Sequence, residues 1–175
     1  MKKLLILLFA GAMVSCGSPQ NHMASTSASK DRVRQFYDQV INAHNPEAVD
    51  SFCTENFVDH NPDNGHSGQG LADLKAQFHE FFASFPDVHC TVNFMVAEGD
   101  TVVSHITMTG TNSGPMGKMP ATNKQVSIEG IDIVAVKDGK GTERWGMFDS
   151  MKMMMQMGMM PEPGAAPADT TKKPG

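Results

Sequence analysis

The chain has no cluster of lysine and arginine: its 14 basic residues are scattered among 19 acidic ones, and the formal charge is -5. A surface that cannot neutralise a run of phosphates argues against nucleic acid as a partner. No apolar run is long enough to cross a bilayer as a helix, which argues against a membrane-spanning segment. No segment repeats and no glycine-rich phosphate loop occurs, so solenoids and nucleotide-cradling folds drop out. Histidine is sparse and scattered, with no two of the seven at an interval that marks a metal site. Cysteine is limited to three residues, Cys16, Cys53 and Cys90.

What is present is ordinary globular composition, 40% apolar and 19% charged, in 175 residues, enough for one domain and one core. Lys2 and Lys3 precede the apolar run from Leu4 to Ala12, the layout of an export signal. The run ends in Met13-Val14-Ser15-Cys16, which resembles the lipobox of bacterial lipoproteins and implies acylation of Cys16. Residues 1–15 are therefore expected to be a signal peptide, with plain cleavage at a small residue as the alternative. A lipid on Cys16 would hold the protein to a membrane of the cell envelope without spanning it. Residues 16–29 read as a flexible tether and 161–175, with four prolines, as a disordered tail. The folded domain is expected over 30–160. Cys53 and Cys90 could pair in an oxidising compartment or sit as two buried thiols.

Within that domain, Val33, Phe36, Tyr37, Val40, Ile41 and His44 recur at helical spacing. Asn45-Pro46-Glu47 supplies an N-cap and a preset first turn for a short helix burying Val49, Phe52 and Cys53. Leu71, Leu74, Phe78, Phe81, Phe82 and Phe85 mark a third helix that Pro86 ends. Val88, Cys90, Val92, Phe94 and Val96 then alternate as a half-buried strand. Three more strands are read over 101–110, 125–137 and 142–149, with Asp138-Gly139 as a hairpin turn, giving a four-stranded antiparallel meander. The apolar phase slips between Ile128 and Ile131, which predicts a bulge near Glu129-Gly130. The class is α+β, three N-terminal helices packed on a curved sheet.

Short strings now stand in a fixed order: Phe57-Val58-Asp59-His60, Gly110-Thr111-Asn112-Ser113-Gly114, Asp138-Gly139-Lys140, Glu143-Arg144-Trp145-Gly146-Met147-Phe148-Asp149, and Gln156-Met157-Gly158. In this order and spacing they resemble the SnoaL-like polyketide cyclases, or ester cyclases, of the nuclear-transport-factor-two-like superfamily, over roughly residues 30–160. The resemblance implies a cone-shaped α+β barrel with a hydrophobic pocket at its open end, often dimeric. It also implies an acid/base Asp in the last strand, matched by Asp149, acting on a polyketide ester with neither metal nor cofactor. His60 and Trp145 match the family's histidine after the second helix and its aromatic residue before the Asp. The sequence departs from the pattern at Asn112, where His is common, at His105, and at Gly141.

The residues themselves agree in part. Glu143, Trp145, Met147 and Asp149 share one strand face, so a carboxylate would stand beside an indole and a thioether, poorly solvated and with a raised pKa. The alternative is that Asp149 caps the following segment through the amide of Lys152 or Met153. His60 could orient a carbonyl or fix the loop before Pro62; His105 could line the pocket or be structural. Asp149 and His60 are thus the catalytic candidates, with Trp145, His105, Asn112, Phe36 and Met147 around the ligand. The expected partner is a small hydrophobic molecule. The other class of function is a non-catalytic envelope protein that uses the pocket for a lipid-like ligand, or the methionines from Met147 to Met160 for Cu(I); core filling by those methionines is the simpler account.

Overall fold

The computed structural model describes residues 19–63 and 65–161, with side chains from Thr26 onward. The expected signal peptide, the lipidation site at Cys16 and residues 162–175 of the expected tail lie outside the described residues.

Helix α1 runs Pro19–Phe36 and continues through one wide π-helical turn, Tyr37–Asn42. Residues 19–29, expected to be a spacer, are therefore helical; Pro19 opens the helix where its missing N–H costs nothing. A 3₁₀ turn, Pro46–Ala48, leads into the short α2, Val49–Phe52. Pro46 sits at the first helical position as expected, but Asn45 makes no side-chain cap. Strand β1 is Cys53–Asp59 and α3 is Gly70–Ser84, which turns Leu74 and Gln77 inward and stops before Pro86. Strands β2 His89–Glu98, β3 Thr101–Thr111, β4 Gln125–Lys137 and β5 Lys140–Phe148 follow, then α4, Ser150–Gln156. Asp138 and Gly139, both at positive φ, form the β4–β5 hairpin turn.

Among the described residues the result is α+β: four α-helices on one mixed sheet of order β1-β5-β4-β3-β2. The expected four-stranded meander gains a fifth strand, because β1 returns to pair parallel with β5. Its short segment gave too few residues for a strand period to be read. β1 and β2 are the two edges, so the barrel is open. The inner face packs Val102, Ile106 and Val136 against Val33, Tyr37, Val40, Ile41 and Val49.

Two corrections concern phase. No bulge occurs at Glu129-Gly130: β3 and β4 pair without interruption from Thr101↔Ala135 to Thr111↔Gln125. The inward series is Val126, Ile128, Gly130, Asp132, Val134 and Val136, and the apparent slip arises because a charged residue takes an inward position. The register shift of β2 lies instead between Val92 and Phe94. It turns Met95 and Ala97 inward and leaves Phe94 and Val96, expected in the core, 58% and 56% exposed.

At the β2 edge, the Asn42 amide accepts from the Cys90 backbone N–H (2.8 Å) and donates to its carbonyl (3.0 Å). Cys53 and Cys90 are free and buried. Burial pushes each thiol up to about 12.

Candidate active site

Alternation along β5 sets two groups of side chains on opposite faces. Arg144, Gly146 and Phe148 lie opposite Val134, Asp132 and Gly130 of β4 on the inner face. Trp145 and Met147 lie opposite Ile133 and Ile131 on the outer one.

The inner face carries a buried polar cluster centred on Arg144. Its Nε and Nη2 each lie 2.8 Å from Asp132 Oδ1, and its Nη1 lies 2.8 Å from Asp59 Oδ2. The parallel β1–β5 register places Asp59 beside Arg144. The other oxygen of Asp132 accepts from the Tyr37 hydroxyl at 2.9 Å. Asp59 and Asp132 are only 4% and 5% exposed, which a carboxylate tolerates when paired. Burial works against the charge on Arg144, but Asp132 and Asp59 more than offset it, and its pKa lies above the ordinary value. Burial, and then the adjoining Asp132 carboxylate, push the Tyr37 phenol well above its usual range, so it stays a neutral donor. The Ser104 hydroxyl, fully buried and opposite Asp132 in the register, makes no well-formed hydrogen bond.

The cluster ends an otherwise apolar cavity of about 50 Å³, walled by Val33, Phe36, Phe52, Phe57, Val134 and Val136. Arg32, also in its wall, lies 4.1 Å over the Phe52 ring and donates to the carbonyls of Gly139 (2.9 Å) and Ser51. It thereby ties α1 to α2 and to the β4–β5 hairpin.

Of the residues expected around a ligand, only Phe36 lines this cavity. His60 lies on the outer face, stacked on Trp145 with ring centroids 4.4 Å apart and planes 4° apart, and its Nε2 is 2.9 Å from Glu143 Oε2. His105 is also outward, 3.5 Å from Glu129 and tilted against Phe94. Met147 is 60% exposed. Asn112 is fully buried, but it organises a loop: its Oδ1 accepts from Thr122 N and Oγ1, and its Nδ2 donates to the Gly114 carbonyl. Asp149 is exposed and caps α4, accepting from the Lys152 N–H at 2.9 Å. The strand face chosen from the sequence is thus the outer one. Trp145 and Met147 suggested burial, whereas the buried side is held by Arg144, whose charge argued against it.

A model of the SnoaL-like polyketide cyclase family matches residues 31–157. The chain belongs to that family. A crystallised protein from Bacillus cereus, proposed as a polyketide cyclase, is 30% identical over 75% of this chain and 79% of its own, with a TM-score of 0.61. A SnoaL-like protein from Jannaschia (21% identity, 78% and 95% coverage, TM-score 0.67) and AclR of Streptomyces galilaeus, described as a candidate hydroxylase (22%, 80% and 87%, 0.69), share the fold. No curated protein matches the chain.

In this SnoaL-like protein the sequence reading missed Tyr37, Asp59, Asp132 and Arg144 as a group. Two signals were present. Asp132 interrupts an inward apolar series, and Gly130 and Gly146 stand where large neighbours need room: a Cβ on Gly130 would meet the Phe148 ring, and one on Gly146 the Arg144 guanidinium.

Proposed function

We propose that this SnoaL-like chain binds a small hydrophobic, carbonyl-bearing molecule in the cavity beneath α1 and moves a proton on it through Tyr37 and Asp132. The reading rests on the Tyr37 Oη to Asp132 Oδ2 bond at the polar end of an apolar cavity. Arg144 engages one oxygen of Asp132 and leaves the other facing a phenol. A ligand carbonyl that took the Tyr37 proton in a hydrogen bond would be polarised, and the freed Asp132 oxygen would stand ready to accept the adjacent carbon-bound proton. The acid/base aspartate is then Asp132, not Asp149. Room for a few waters is not room for a polyketide, so binding would require α1 to shift outward with Arg32. Anchoring at Cys16 would keep the pocket at an envelope membrane, and labelling by palmitate, lost in Cys16→Ala, tests it.

The test of the chemistry is α-proton exchange of a hydrophobic keto ester in D2O, followed by proton NMR. The wild type should exceed buffer, Asp132→Asn should fall to the buffer rate, and Asp149→Asn should keep the activity. Exchange that survives Asp132→Asn and vanishes in Asp149→Asn would overturn the assignment, and no exchange in the wild type would favour a binding role.

A further inference from the structure

Seven of the eleven residues from Ser150 to Met160 are methionine, and the cavity uses none of them. Six of them fall into two groups, and Met155, half-buried, belongs to neither. Met151 and Met160 are 61% and 41% exposed, as is Met147 at 60% just before them. Met153, Met154, Met157 and Met159 pack instead on Phe81, Phe82, Phe85, Val88 and Val126, joined there by Met108 from β3 and Met116 from the loop that Asn112 organises. Met157 is 3% exposed.

These thioethers are most of what holds α4 down. Among the described residues its polar attachments are few: the Asp149 cap, the Asp149 N–H to the Glu129 carbonyl at 3.2 Å, and Gln156, which accepts from Ser127 N–H at 2.7 Å and donates to its carbonyl at 3.2 Å. The helix ends at Gln156, and Gly158, φ +74, closes the turn beyond it, where the Gly158 N–H bonds to the Met155 carbonyl and the Met159 N–H to the Met154 carbonyl. A seven-residue helix has little stability of its own, so its order depends on this apolar contact.

We infer that the methionines from Met147 to Met160 form a modification site for hydroperoxides, and that oxidation of its inner members releases α4. The thioether sulfur attacks the terminal peroxide oxygen, the O–O bond breaks, and methionine sulfoxide and water (or an alcohol) result. Met147, Met151 and Met160 can react where they stand and consume oxidant without loss of packing. At Met157, 3% exposed, the new S=O oxygen would lie among Phe85, Val88 and Val126, a state relieved by leaving the cluster, and oxidation of the partly buried Met153, Met154 and Met159 would weaken the same apolar contact. The exposed group therefore acts as a sink and the inner group as a clasp that opens once the sink is spent. The inference is independent of the cavity and its chemistry.

Lys152, exposed within α4, gives a direct readout, since trypsin needs an unfolded segment there. Full-length protein is treated with hydrogen peroxide, quenched at intervals with catalase, and divided between peptide mass spectrometry and brief trypsin digestion. Met147, Met151 and Met160 should gain oxygen roughly tenfold faster than Met157, as expected for exposure-controlled reaction. Cleavage after Lys152 should stay slow until the inner methionines are oxidised and then accelerate. Methionine sulfoxide reductases should restore the protection, and the combined variant Met153→Leu, Met154→Leu, Met157→Leu, Met159→Leu should keep it at the same peroxide dose. Oxidation of Met157 as fast as Met151, unchanged protection at Lys152 after inner oxidation, failure of the reductases to restore it, or equal lability of the Leu variant would each overturn the inference.

Discussion

The guanidinium of Arg144 occupies the space that a side chain on Gly146 would need. Two residues apart on one face of β5, they leave room for only one side chain. Gly146→Ala should therefore push Arg144 off Asp132 and Asp59 and leave buried charges poorly paired, at a cost of about 2–4 kcal/mol. Thermal unfolding checks it, and an unchanged melting temperature would show that the guanidinium has another place to go.

Gly141 presents the opposite case. A Cβ there would lie 3.5–3.7 Å from Val134, Phe57 and Cys53, ordinary contact distances, and its φ is not positive. Gly141→Ala should stabilise the chain by about 0.5–1 kcal/mol, by restraining the unfolded chain and adding contact in the cavity wall. Denaturant titration should show a higher midpoint at unchanged slope.

Asp149 is expected to matter for stability rather than for chemistry. Asp149→Ala removes the α4 cap and should cost about 1 kcal/mol, while Asp149→Asn retains an accepting oxygen and should cost much less. Equal losses in the two variants would mean that charge, not capping, is the contribution.

The loop from β1 to α3 should be sensitive to pH. His66 lies 3.2 Å from Asp73 and 3.4 Å from Glu80, its side chain 9% exposed. Burial disfavours the charged ring, but the bonds to Asp73 and Glu80 outweigh it and hold its pKa above the ordinary value. Asp63, whose backbone N–H is held by Gln77, adds a third carboxyl nearby. A folded-state pKa above the unfolded one means that stabilisation is complete below the ordinary histidine value and lost as pH rises through the folded value. The stability difference between wild type and His66→Ala should thus be larger at pH 5.5 than at pH 8.5; the reverse order would place the ring neutral in the folded state.

The apolar faces of α1 and α3 were legible in the sequence: the Val33 to Ile41 stripe and the Phe78, Phe81, Phe82 and Phe85 series lie where their spacing puts them, whereas the polar start of α1 and the short α4, which buries no residue within Ser150–Gln156, carried no such period. The strands of β3 to β5 and the Asp138-Gly139 turn were equally plain. The site was not. Alternation correctly grouped Trp145 with Met147, but it cannot say which face is covered, and the buried one was the face with Arg144. A buried ion cluster reads as a fault in an apolar period, as at Asp132, because hydropathy counts a charge as surface and cannot see its partners. The β2 bulge at Asn93 was hidden for a related reason, since Phe94 and Val96 continue an apolar alternation whose phase has already changed.

The amide of Asn42 gives a lateral limit to the sheet. By matching both main-chain groups of Cys90 it acts as a one-residue stand-in for a sixth strand, so an incoming chain finds no free partner at that point on the β2 border. Growth of the sheet from this side by zippering along the whole strand is thereby interrupted near its start, and loss of that single amide would lengthen the border open to self-association.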